Sequence, residues 1–232
     1  MNRQMGGLGV YIAFLIPPMI IGLFVQRWLK KTVATQMQVQ VFSGMTGEQV
    51  AREILARNGL ENVPVEQAPG GPLSDHYDPR KRSVHLSQGV YDGTAVASVA
   101  IAAHEVGHAI QHEKAYAPFR LRSALFPVVS FASNAWFFLL IIGAFMNALG
   151  LMQAAIVLFA VVVLFQLVTL PVEFDASRRA KQQLTSLGLV SSGEAAGVSK
   201  VLTAAAMTYV AAALAALSQL AYYAMVFLGN RN

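Results

Sequence analysis

The sequence predicts a mainly α-helical membrane protein, with four transmembrane helices and a small α+β domain on the cytoplasmic side. Three observations lead there. Of 232 residues 55% are hydrophobic and only 12% charged, with a mean hydropathy of +0.50, whereas a soluble domain carries roughly one quarter charged residues. The uncharged residues gather into runs long enough to cross a bilayer, separated by polar segments. One polar segment holds His104-Glu105-Val106-Gly107-His108 directly after the apolar stretch Ala95 to Ala103. Composition also narrows the chemistry. With no Cys there is neither a disulfide framework nor a thiolate metal site, so any metal is held by His, Asp or Glu. A net charge of +5 does not indicate nucleic acid, because the basic residues are spread along the chain beside apolar segments.

In chain order, residues 4–26 contain no charge, and Leu8 to Val25 is long enough for span one at about 1.5 Å per residue. Pro17 and Pro18 should kink it. Arg27, Lys30 and Lys31 follow the run, with only Arg3 before it. That order favours an uncleaved anchor over a signal peptide, with the amino terminus outside. Residues 27–124 form the polar domain. Thr46-Gly47-Glu48-Gln49 has the form of a capping box, Val50, Ile54 and Leu55 follow at helical spacing, and Asn58-Gly59 stops the helix. Val63 to Glu66 reads as a strand, Gln67 to Asp75 as a loop containing no element, and Ser83 to Ser87 alternates as a strand. His76 falls just past that loop and is read as a loop residue, His85 as a strand residue. Asp92-Gly93-Thr94 is placed to begin the motif helix, which runs through His112.

From Leu125 to Leu170 there is no Asp, Glu, Lys or Arg, a length that allows two spans with a tight turn near Asn147 to Gln153. Residues 171–203 are polar, and 204–230 makes a fourth span rich in Ala. Small residues from Ala204 to Ala216 allow close helix packing, within the chain or with a second copy or membrane partner. In this topology only Arg3 and Arg231, of the 17 Lys and Arg residues, lie outside the inner segments. The polar domain is therefore expected in the cytoplasm, on the same side as residues 171–203.

His104 and His108 are four apart, so on a helix both rings can face one ion; Glu105 sits where a carboxylate serves as the general base of a metallohydrolase. Catalytic zinc usually has three protein ligands. His112 lies about 12 Å along the helix from His104, too far to share the ion. Glu173, in Leu170-Pro171-Val172-Glu173-Phe174-Asp175, is the better third ligand, with Pro171 suited to the first turn of a new helix at the inner end of span three. Asp175 is the alternative ligand, or an acid orienting one of the histidines. Arg178, Tyr116 and His112 are candidates to stabilise an oxyanion. Val84, His85 and Leu86 form a strand that an extended substrate can join if it is an edge.

Together, His104-Glu105-Val106-Gly107-His108-Ala109-Ile110-Gln111-His112, the upstream Asp75 to Ser87 and Val90 to Ala103, and the downstream Leu170 to Ala180 and Val201 to Ala215 resemble the YugP-type membrane zinc metallopeptidases, a family labelled putative neutral zinc metallopeptidase. More distantly the chain is similar to the HtpX-like gluzincins. The resemblance implies a zincin-like domain, Zn2+ bound by His104, His108 and Glu173, Glu105 as base, and a bacterial cytoplasmic membrane location. One residue departs from the HtpX-like pattern, which places Asp four residues after the ligand Glu: here position 177 is Ser and the Asp is at 175. The expected function is that of a membrane-anchored zinc endopeptidase cutting protein or peptide substrates at the cytoplasmic face, in contact with lipid. A non-catalytic membrane scaffold or assembly factor that keeps a metal site is the alternative. Cleavage inside the membrane ranks lower, because the apolar run before His104 is too short to span.

Overall fold

The computed structural model describes residues 2–229, with side chains for residues 9–226. The end of the fourth expected span at 230 and Arg231 lie outside the described residues, as does the side chain of Arg3. The described chain is mainly helical with one small sheet. Its elements are α1 (Asn2–Gln36), α2 (Gly47–Arg57), β1 (Val65–Gln67), β2 (His76–Asp78), β3 (Ser83–Leu86), α3 (Gln88–Tyr91), α4 (Val96–Glu113), α5 (Ala117–Phe145), α6 (Leu149–Ser186) and α7 (Ser192–Gly229). Four of them, α1, α5, α6 and α7, are long and apolar enough to cross a membrane. The chain divides into two compact units. One comprises Met1–Gln26, Leu121–Leu170 and Thr208–Asn232, the other Arg27–Arg120 and Pro171–Met207.

The first unit is built from apolar helix with little of its surface buried. Phe24, Phe138, Phe145 and Val157 are all well exposed, a display that a monomeric protein in water rarely sustains. Within it Trp136 packs on Phe159 and Tyr223, and the Ser218 hydroxyl donates to the Phe14 carbonyl at 2.7 Å. The turn between α5 and α6 comes at Met146 to Ala148, slightly ahead of the expected stretch. Asn147 takes a φ of 50° there, a left-handed conformation that Asn tolerates better than most residues.

The second unit has a conventional core. Val50, Ile54 and Leu55 of α2, Val84 and Leu86 of β3, Val96, Val99, Val106 and Ile110 of α4, Leu184 of α6 and Val198 of α7 form one buried cluster. The α2 helix begins with the expected capping box, Gln49 N–H donating to Thr46 Oγ1 at 3.2 Å and Thr46 N–H to Gln49 Oε1 at 2.9 Å. It ends at Asn58, with Gly59 at a φ of 70°. The α4 helix starts one residue later than Asp92-Gly93-Thr94 implies. Ala95 is its cap, and the Val96 N–H donates to the carbonyl of Val39, in the segment following α1.

Three expectations need correction. His76 lies in strand β2 and not in a loop. Pro171 does not begin a helix: it sits inside α6, which continues to Ser186. Proline removes one backbone donor and crowds the carbonyl four residues back, yet long apolar helices tolerate it where neighbours hold the helix together. Lastly, the sheet order is β1-β3-β2. β3 pairs in parallel with β1 and antiparallel with β2, and all four of its residues are buried. Val84, His85 and Leu86 thus sit in a centre strand whose backbone is engaged on both sides, so a substrate cannot add there; the sheet's edges are β1 and β2.

Candidate metal centre

The α4 helix carries His104, Glu105 and His108 through the middle of the second unit, and α6 brings Glu173 to them. Glu173 Oε2 lies 3.2 Å from His104 Nε2 and 3.7 Å from His108 Nε2. The two imidazoles meet edge to face, with centroids 4.8 Å apart. One donor atom from each of His104, His108 and Glu173 lies within 4.8 Å of the others. This donor set fits zinc. Two imidazole nitrogens and a carboxylate oxygen around a tetrahedral ion, at about 2.0–2.2 Å each, are about 3.3–3.5 Å apart, and the two spacings to Glu173, 3.2 and 3.7 Å, lie on either side of that. Glu173 is 1% exposed, and a buried carboxylate demands a cation or hydrogen bonds.

The approach of α4 to α6 depends on Gly107. A Cβ at that position would lie 2.7 Å from the Ala176 carbonyl oxygen, so only glycine permits this backbone separation. Ala176 and Ala180 line the facing side of α6 and are fully buried.

Behind each histidine stands a further polar group. The Ser177 hydroxyl is 3.2 Å from His104 Nδ1. The amide of Gln111, fully buried, lies 3.0 Å from His108 Nδ1 through Oε1 and donates through Nε2 to the Val172 carbonyl at 2.8 Å and to Asp175 Oδ2 at 2.9 Å. Asp175 also accepts from Arg178 and Arg179. Asp175 is therefore not among the converging donors; it acts on His108 only through Gln111. The departure at position 177 also takes a physical form: Ser177 is the residue that meets His104.

Electrostatics separate the carboxyls. Burial pushes Glu105 up to about 7, helped by the charges of Glu173 and Asp75 and opposed by His104. Burial acts in the same direction on Glu173, but hydrogen bonds and charge from His104 and His108 outweigh it and hold its pKa well below the usual carboxylate range. Burial likewise disfavours the charged form of Asp175, and hydrogen bonds from Gln111, Arg179 and Arg178 reverse the balance. Both acids lie past Leu170, where the uncharged run ends.

Arg178 is 69% exposed on its side chain and bound to Asp175. Tyr116 lies under the guanidinium of Arg179, 5.8 Å from its ring centroid. His112 Nδ1 is 2.9 Å from the Tyr77 hydroxyl. None of the three lies among the converging donors. Sequence reasoning missed Gln111, Ser177 and Gly107. Gln111 left one signal, an uncharged polar residue three past a ligand on the same helical face.

The second unit also holds an apolar groove of about 560 Å³. Leu29, Val33 and Met37 of α1 line it together with Leu73, Val90 and Ile101. Ile101 lies one turn before Glu105 on the same face of α4. Asp75, whose charge reaches Glu105, also lines the groove, and its carboxylate accepts from the Ser87 N–H at 2.7 Å.

Long apolar helices and a converging His–His–Glu donor set, His104 partly buried and His108 and Glu173 buried, mark the class: a membrane-type protein with a candidate metal centre. The sequence profile described as Putative neutral zinc metallopeptidase matches residues 11–228, and the chain belongs to that family. It is 45% identical over 223 residues to the Putative membrane protease YugP of Bacillus subtilis (strain 168), covering 96% of this chain and 99% of that protein. No solved structure matches the chain.

Proposed function

We propose that the chain is a zinc-dependent endopeptidase that hydrolyses peptide bonds at the cytoplasmic face of the membrane, with Glu105 as general base. The observation that carries this reading is the convergence of His104, His108 and Glu173 beside a buried Glu105 on the same helix. His104 and His108 through Nε2, and Glu173 through its carboxylate, would hold the ion. Bound zinc supplies Lewis acidity, which activates a water molecule and polarises the peptide carbonyl. Glu105 accepts the proton of the attacking water and returns it to the departing amine. Residues 27–124 and 171–203 make up a zincin-like cytoplasmic peptidase domain; 4–26, 125–170 and 204–230 supply the anchoring spans. The groove lined by Ile101 takes the apolar side chains of the substrate, since Ile101 lies one helical turn before Glu105.

Glu105→Gln tests the assignment, because glutamine keeps the shape and cannot take a proton. The variant should bind zinc like the parent and lose peptide hydrolysis, by at least the 10²–10⁴-fold of a lost acid–base group. Unchanged hydrolysis would remove Glu105 from the mechanism. Absence of hydrolysis from the zinc-loaded parent, with function in cells unaffected by the substitution, would turn the reading towards a scaffold.

A further inference from the structure

Gln111 occupies the last turn of α4 with no solvent exposure, and its three partners dictate how its amide is turned. The Val172 carbonyl and the Asp175 carboxylate only accept hydrogen bonds, so the two N–H donors must face them. The opposite rotamer would set the amide oxygen against two other oxygens. The oxygen therefore faces His108 Nδ1 at 3.0 Å. Facing an acceptor, Nδ1 must carry a proton, which leaves Nε2 as the ring nitrogen turned to Glu173 and to any cation held there. Arg178 and Arg179 hold Asp175 in turn, so the anchor of the amide is itself fixed. His104 is served differently: the Ser177 hydroxyl at its Nδ1 rotates to donate or accept and imposes no tautomer.

We propose that Gln111 is a positioning residue of the metal centre, anchored on α6 by Asp175 and the Val172 carbonyl, and that it locks His108 in the Nδ1–H tautomer with Nε2 turned to the ion. The inference rests on the reading of His104, His108 and Glu173 as metal ligands. It also gives α6 a second task, since the helix that delivers Glu173 sets the ring of His108 through the same turn.

The test uses the full chain in detergent. Gln111→Met keeps length and apolar bulk while removing the amide, and zinc affinity is read by competition with a chelator. A loss of about 10–100-fold is expected, the usual effect of removing a group that orients a metal ligand, with helical content retained. Histidines labelled with 15N report the tautomers of the metal-free protein at neutral pH, and His108→Ala identifies the relevant signals. In the parent protein His108 Nδ1 should carry a proton with the shift of a hydrogen bond to Gln111, whether or not Nε2 also carries one facing Glu173; in Gln111→Met that hydrogen-bond shift should be lost. Parent His108 without a proton on Nδ1 would overturn the proposal whether or not the variant folds, and so would a folded Gln111→Met protein with unchanged zinc affinity. Absence of zinc from the parent strikes at the metal reading alone, because the histidine spectrum still decides the tautomer lock.

Discussion

At the scale of single residues, the centre is a problem of burying charge. A carboxylate as enclosed as Glu173 is tolerated because two imidazoles point at it, and an ion between them resolves all three groups at once. Glu173→Ala should therefore abolish zinc binding, measured as bound metal per chain. Asp175→Ala should retain zinc at reduced affinity, because Asp175 reaches the site only through Gln111. The opposite pattern would move the third ligand two residues along the helix. Stripping the metal with a chelator should lower the thermal midpoint in either background that binds zinc, as ligand linkage requires.

Between elements, the governing contact is α4 against the portion of α6 that follows Pro171. Glycine inside a helix ordinarily costs about 1 kcal/mol relative to alanine, so Gly107→Ala would be stabilising on an isolated helix. Here the added methyl would meet the Ala176 carbonyl at 2.7 Å, and overpacking of that kind costs about 1–3 kcal/mol. The substitution should lower both the thermal midpoint and zinc affinity, since parting the helices draws Glu173 away from the histidines. A raised midpoint with unchanged affinity would show that the close approach does not govern the site. The same contact explains what was legible in this region. The His104–His108 pair was readable because its geometry is local to one helix, whereas Gln111, Ser177 and Gly107 have meaning only once α6 lies alongside.

For the whole molecule, the open question is which side of the membrane bears the peptidase unit. By the distribution of Lys and Arg, residues 27–124 and 171–203 are expected inside. The chain has no Cys, so single cysteines can be introduced without background. Gly71 and Gly150 suit this, because a side chain at either meets nothing within 4 Å. A membrane-impermeant maleimide applied to intact cells should label Gly150→Cys at once and Gly71→Cys only after permeabilisation. The reverse pattern would put the metal centre on the outer face and exclude cytoplasmic substrates.

Sequence alone determined the features that depend on composition and near neighbours: four apolar helices, the capping box of α2 and the four-residue spacing of His104 and His108 in α4. Each follows from bilayer thickness or helical periodicity, quantities readable from a few adjacent residues. Only the tertiary structure decided that β3 is a centre strand, that α6 runs unbroken through Pro171, and that Asp175 serves His108 by way of Gln111. Strand order, tolerance of a proline and a relay between helices are set by contacts between residues far apart in the chain. For those contacts the local pattern of residues carries no information until the backbones are packed together.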